Sequence, residues 1–324
     1  MKLSIIIPVF NSEKYLNECL ASAFSQDLMA SDYEVIIIND GSTDRSKQII
    51  LNFKLNHENL IFVDQKNQGV STARNAGLKI ASGEYITFMD SDDKIVQDSL
   101  SQMIAYIEKY SLDILYGKIE TYDEQGNYLN FFTAIGEIDN VKKGFEHKRR
   151  TFPPTFYQKE IIKELSFNSK ISFGEDTVFN AKAQAFANRV SYFDLPYYQY
   201  TVRENSLSKQ GDSNKAFEGF LLAIKDVREF QNANFHQDME AKNYFDKVYF
   251  IFVTRIVELN IFPTMHKVKY LLLKNFLVEQ ELNYILNPLQ FKYPYVHQSF
   301  FRFATYQKFL NLKSKVYRLL YKNA

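Results

Sequence analysis

Three carboxylates fall within four positions at Asp90, Asp92 and Asp93, directly after an apolar, strand-like run from Tyr85 to Met89. Like charges at that spacing destabilise one another and raise each other's pKa unless a cation sits among them. A hard divalent ion with oxygen ligands, Mg²⁺ or Mn²⁺, itself holding a phosphate-bearing substrate, would relieve them. The simpler reading is that Asp92 or Asp93 caps a helix starting near Ile95. Two further polar turns end apolar runs in the same way. Asp40-Gly-Ser-Thr-Asp44 follows Tyr33 to Asn39, and Pro8 to Asn11 ends the run begun at Leu3, which Pro8 closes.

The elements that position these turns are legible in the hydrophobic pattern. Leu3–Val9 is a continuous apolar run, as strands buried on both faces of a parallel sheet are, and Tyr33–Asn39 reads as a second apolar strand. Leu60–Val63 and Tyr85–Met89 read as two more strands. Between them lie amphipathic stretches with Leu16, Leu20, Ala23 and Phe24, then Ile49, Ile50 and Phe53, then Val70 to about Ala81. Asn11 or Ser12 can cap the first helix with Glu13 in its first turn, and Asp44 or Ser42 the second. Strand–helix alternation predicts an α/β fold with a doubly wound, mostly parallel sheet and right-handed crossovers. In such sheets ligands bind beyond the carboxyl ends of the strands, where all three polar turns fall. Neither a Gly-x-Gly-x-x-Gly fingerprint nor a P-loop is present, so phosphates would be held by a metal and side chains.

The set Pro8-Val-Phe-Asn11, Asn39-Asp-Gly-Ser-Thr-Asp44, Asn67-Gln-Gly-Val-Ser-Thr-Ala-Arg-Asn-Ala-Gly77 and Asp90-Ser-Asp-Asp93 resembles family 2 glycosyltransferases of the GT-A fold. The resemblance is strong to about residue 95, fair to about 210, and weak beyond. It implies a nucleotide-sugar donor, UDP-linked by preference. Pro8, Val9, Phe10 and Asn11 would line the base pocket, and Asp40 with Ser42 would face the base. Asn67 and Arg74 would contact the donor, Asp90 and Ser91 would approach the ribose side, and Asp92 would hold the metal. Asp90 would assist the metal through phosphate or water, and Asp93 is a third candidate ligand. For Arg74 the plainer reading is a solvated helix residue.

An inverting transfer also needs a base for the acceptor hydroxyl. Glu175 and Asp176 open a helix carrying Val178, Ala181, Ala185 and Phe186, and both are good first-turn residues for any helix. The resemblance implies Asp176 as the base, with Glu175 the second candidate. Arg203, in Tyr197-Tyr-Gln-Tyr-Thr-Val-Arg203-Glu-Asn-Ser-Leu-Ser208, would clamp the departing diphosphate, or simply pair with a surface acid. A hairpin turning at Asp123–Asn127 lies between these segments.

Composition bounds the rest. Hydrophobic residues at 46% and charged residues at 24% are those of an ordinary globular protein. One cysteine, Cys19, excludes an intrachain disulfide, and its helical spacing with Leu16 and Leu20 suits a core residue. From residue 241 onward thirteen Lys/Arg stand against four Asp/Glu, a surplus of nine, leaving 26 against 34 before that point. The basic, aromatic stretch 265–324 therefore suits an anionic membrane surface, the catalytic domain or a second subunit in a homodimer; no nucleic-acid module is recognisable. No stretch of eighteen apolar residues occurs, so the chain is expected to be cytoplasmic or peripheral on the inner face of a membrane. The expected divisions are 1–110 for the donor half, 111–209 for the acceptor and base half, and 210–324 for a helical C-terminal region. The function expected is metal-dependent hexosyl or N-acetylhexosaminyl transfer to a hydroxyl of a glycan or lipid-linked acceptor, in bacterial surface-polysaccharide or capsule synthesis. A sugar-nucleotide nucleotidyltransferase and a non-catalytic binding module are the rival readings, and a protein-linked glycan is the alternative acceptor.

Overall fold

The computed structural model describes residues 1–132, 141, 143–144, 155–203, 213–257 and 267–285. The motif residues after Arg203 and most of the stretch 265–324 lie outside them. The chain divides into two compact units. One comprises Met1–Ser169 with Glu175–Gln210; the other comprises Lys170–Gly174 with Gly211–Ala324.

The first unit is an α/β domain. Its strands are β1 (Leu3–Val9), β2 (Tyr33–Asp40), β3 (Leu60–Gln65), β4 (Tyr85–Phe88), β5 (Lys94–Ile95), β6 (Ile114–Asp123), β7 (Tyr128–Phe132), β8 (Thr155–Gln158) and β9 (Val190–Val202). They form a sheet in the order β3-β2-β1-β4-β8-β6-β9-β5, with β7 added to β6. The first four strands are mutually parallel, as expected. Beyond β4 the sheet becomes mixed: β8 runs antiparallel to both β4 and β6, and β9 parallel to β6. The hairpin expected at Asp123–Asn127 joins β6 and β7.

The continuous apolar runs are explained by helices on both faces. Ile5, Ile7, Val35 and Ile37 pack with Leu16, Cys19, Leu20 and Ala23 of α1 (Leu16–Phe24) and with α4 (Leu100–Tyr110). Ile6, Ile36 and Ile38 pack on the other face with Ala73 of α3 (Val70–Ile80), Ile162 of the short α5 (Lys159–Ile162) and Phe179 of α6 (Glu175–Phe186). Each fully buried isoleucine contributes about 1.5–3 kcal/mol. Pro8 does not close β1, which continues to Val9. It is accommodated because β1–β4 pairing stops at Ile6 and Phe88, so its missing N–H leaves no gap on that side.

Two local expectations fail. Helix α4 begins at Leu100, not near Ile95, so neither Asp92 nor Asp93 caps it; Lys94 and Ile95 instead pair with Gln199 and Tyr198 of β9. The first helix has Tyr15 at its N-cap and no side-chain cap. Glu13 is instead bonded to the start of α2 (Ser46–Lys54), accepting from the Arg45 N–H at 2.9 Å, while Asp44 accepts from Ser46 N–H at 2.9 Å and Glu13 N–H at 3.0 Å.

The second unit contains α7 (Ser213–Asn234), α8 (Met239–Ile256) and α9 (Lys267–Glu279). Asp238 caps α8 through the N–H groups of Glu240 and Ala241. Phe217, Phe220, Phe245 and Phe252 are buried here, and Tyr249 donates to Gln231 at 2.7 Å. No described helix is long and apolar enough to cross a membrane.

Candidate active site

The loops after β1, β2 and β4 are knitted together at the carboxyl edge of the parallel strands. Asn11 takes up a left-handed conformation, φ 49°, which Asn tolerates better than most residues. Its N–H donates to Ser42 Oγ at 3.1 Å, and its Oδ1 accepts from Thr43 N–H at 2.8 Å. Ser12 Oγ lies 2.6 Å from Ser91 Oγ, which ties the first loop to the acid cluster. Gly41, at φ 74°, lets the second loop meet the next: a Cβ there would stand 2.6 Å from the Asn67 backbone nitrogen. Pro8 and Val9 are buried within β1, whereas Phe10, at 49%, and Asn11 are exposed. Ser42 therefore supports a neighbouring loop; it does not cap α2.

Asp40 is buried, and its carboxylate already receives three donors. Oδ1 accepts from Gln65 Nε2 at 2.7 Å and Gln68 N–H at 3.0 Å, and Oδ2 from Gly69 N–H at 2.8 Å. This shapes the entry to α3. A carboxylate offers about four acceptor positions, so one remains for a ligand.

The three acids at the end of β4 do not converge on one point, and no cluster of three metal-ligating side chains exists among the described residues. Asp93 is buried; Tyr198 Oη donates to its Oδ2 at 2.9 Å and Thr201 N–H to its Oδ1 at 3.0 Å. Burial and the Asp90 charge push its carboxyl up to about 8. The Tyr198 hydroxyl also accepts the Asp90 N–H at 3.1 Å, so β9 holds the acid turn in place. Asp92 is paired with the Arg203 guanidinium, which also lies over the Tyr15 ring, 4.9 Å from its centroid. Asp90 is paired with Arg74. Two partly exposed, hard carboxylates at one strand end fit Mg²⁺ or Mn²⁺, which commonly take one or two protein carboxylates and complete their shell with substrate phosphate and water. Asp93, enclosed by Tyr198 and Thr201, is poorly placed to join them.

Arg74 is not a solvated helix residue. Its side chain is 6% exposed, with Nη2 3.0 Å from Asp90 and Nη1 3.2 Å from Glu175. Asp176, next along α6, accepts from the Thr177 N–H and, at 3.2 Å, from the Thr177 hydroxyl, both through Oδ1. Among the described residues its Oδ2 accepts no hydrogen bond. Burial raises the Asp176 carboxyl above the usual carboxylate range, with the Arg74 charge opposing; burial and the Asp176 charge do the same to Glu175. Cys19 is a core residue: its thiol is buried, pushed up by desolvation, and 3.7 Å from the Asp90 carbonyl.

The structure thus brings Asp90, Arg74, Glu175 and Asp176 together, and joins Asp92 to Arg203. Tyr198, Tyr15 and Glu13 act at this edge without any local sequence signal, because their partners lie far away in the chain.

Comparison with known proteins bears on the family. The profile of the family described as Glycosyl transferase family 2 matches residues 4–175. The chain is 31% identical over 222 residues to the glycosyltransferase GlyA of Streptococcus pneumoniae, covering 64% of this chain and 32% of that protein. It is 33% identical over 215 residues to the poly(ribitol-phosphate) beta-N-acetylglucosaminyltransferase TarS of Staphylococcus aureus, covering 63% of this chain and 36% of that protein. The chain spans roughly a third of the length of these relatives. The crystal structure of S. aureus TarS 1-349 in complex with UDP has a TM-score of 0.63 and 27% identity, over 81% of this chain and 73% of that chain. With a profile that covers more than half of its residues and a GT-A fold shared with solved relatives, the chain belongs to glycosyl transferase family 2.

Proposed function

We propose that the chain transfers a hexosyl or N-acetylhexosaminyl group from a UDP-sugar to a hydroxyl of a cell-surface polymer or lipid-linked glycan, with inversion. The observation that carries this reading is the meeting of acids from two distant segments, Asp90 and Glu175, on one buried guanidinium, with Asp176 beside them. The relative TarS, a poly(ribitol-phosphate) beta-N-acetylglucosaminyltransferase with a structure in complex with UDP, supports the donor and acceptor classes.

In this reading the base moiety lies against Phe10 and the Asp40 loop. The acceptor oxygen attacks the anomeric carbon as the bond to the diphosphate oxygen breaks, and the leaving pair stays on the diphosphate. The acceptor proton passes to Asp176 Oδ2, the oxygen with no hydrogen bond among the described residues. Asp92, with Asp90, would hold the divalent cation, which supplies positive charge toward the diphosphate when bound. Arg203 lies against Asp92 and is placed to add its own charge there. Glu175 is engaged by Arg74, which favours Asp176 as the base.

Thermal shift over a panel of nucleotide sugars with Mn²⁺ identifies the donor, and UDP release then tests turnover. UDP-sugar stabilisation with slow metal-dependent UDP release supports the transferase. Calorimetric binding without turnover on any acceptor would leave a binding module. The C-terminal basic stretch is proposed to meet an anionic membrane surface; unchanged liposome flotation after deletion of 265–324 would remove that part.

A further inference from the structure

Arg74 sits at the junction of two clamps. Its guanidinium forks between Asp90 at the end of β4 and Glu175 at the start of α6, 101 residues apart in the chain from the arginine to the glutamate. It lies over the Phe167 ring, 5.4 Å from the centroid. Phe167 in turn stacks on Phe179 of α6 at 4.2 Å and meets Phe88 of β4 edge-on at 5.2 Å. The next residue, Asn75, holds the Phe167 backbone from both sides: its Nδ2 donates to the carbonyl and its Oδ1 accepts the N–H, each at 2.8 Å. Helix α3 is itself seated by Gly77, where an added Cβ would come within 2.4 Å of Ile6.

We infer that Arg74 is a positioning residue for Asp176 and not a donor contact: it fixes the first turn of α6, through Glu175, against the acid turn of β4. The inference rests on the proposed transfer. Two of its terminal nitrogens are committed to protein carboxylates and its side chain is almost fully buried, which leaves it poorly placed to reach a nucleotide. Binding Glu175 to α3 also separates the roles of two adjacent acids. Glu175 is held inward, and Asp176, its neighbour on the helix, keeps an oxygen for the acceptor proton. Loss of the guanidinium would leave buried Glu175 without its counter-charge, and α6 would shift to hydrate it.

The test compares Arg74→Lys, Arg74→Met, Glu175→Gln and the pair Arg74→Met/Glu175→Gln in the full chain. UDP affinity is read by calorimetry with Mn²⁺, kcat by UDP release from the best donor, and folding by urea midpoint. Expected for Arg74→Met is UDP affinity within about 3-fold of the parent and kcat lower by about 100-fold, the scale of a small misplacement of a reacting group. Arg74→Lys should recover about a tenfold part of that loss, because an ammonium can hold one acid but cannot fork between two. The double variant should be no worse than Arg74→Met, since both changes break one coupled contact. A fall in UDP affinity that matches the fall in kcat would overturn the inference, as would multiplicative losses in the double variant. If Arg74→Met does not fold, Arg74→Lys reads the same split. Absence of UDP release by the parent protein from every donor would instead contradict the transfer itself.

Discussion

At the scale of single residues, burial moves two acids above their ordinary titration range, one against a neighbouring positive charge and one with a neighbouring negative charge. Asp176 is raised by burial against the opposing charge of Arg74. A general base works when deprotonated, so its raised value moves the acidic limb of the kcat/KM profile above the usual carboxylate range. Asp176→Asn should remove that limb and lower kcat by about 10²–10⁴-fold, with UDP binding retained; a profile unchanged in shape would contradict the assignment. Asp93 is pushed up to about 8, first by burial and then by Asp90. The folded chain therefore keeps a proton that the unfolded chain loses above about pH 4. Its contribution to stability is present at low pH and disappears as pH climbs from about 4 towards 8. Urea midpoints measured with EDTA should fall over that window, and Asp93→Asn should flatten the fall. An equal slope in both proteins would show that Asp93 is ionised throughout.

At the scale of elements, the approach of α3 to β1 sets where Arg74 stands. Gly77→Ala would drive a methyl against Ile6 and should cost about 1–3 kcal/mol by denaturant unfolding; a neutral result would mean that α3 can lift without strain. The elements as far as Phe88 were legible because helices cover both faces of β1 and β2, so every position from Leu3 to Val9 had to be apolar or small. The start of α4 was not legible. Lys94 and Ile95 are drawn into a strand by Gln199 and Tyr198, a pairing across about a hundred residues that no local pattern announces. The acids of the site were likewise readable as a type, since clustered carboxylates after a strand are costly without a reason to be there. Their partners were not: the burial of Arg74 depends on Glu175, and that of Asp93 on Tyr198 and Thr201. Glu13, expected in the first turn of its own helix, instead serves the start of α2 for the same reason.

At the scale of the whole molecule, the five residues Lys170–Gly174 belong to the helical unit, yet the chain runs from them straight into Glu175 and Asp176. Gly174 has φ 85°, and a Cβ there would meet Phe252 at 3.0 Å and Phe220 at 3.4 Å. The measurement that bears most directly on the account is UDP release from the preferred UDP-sugar by the parent protein and by Asp92→Asn, each with Mn²⁺ and with EDTA. Release by the parent with Mn²⁺ is expected to be suppressed by EDTA, and Asp92→Asn to lose about 100-fold or more. Release that is indifferent to both EDTA and the substitution would contradict it.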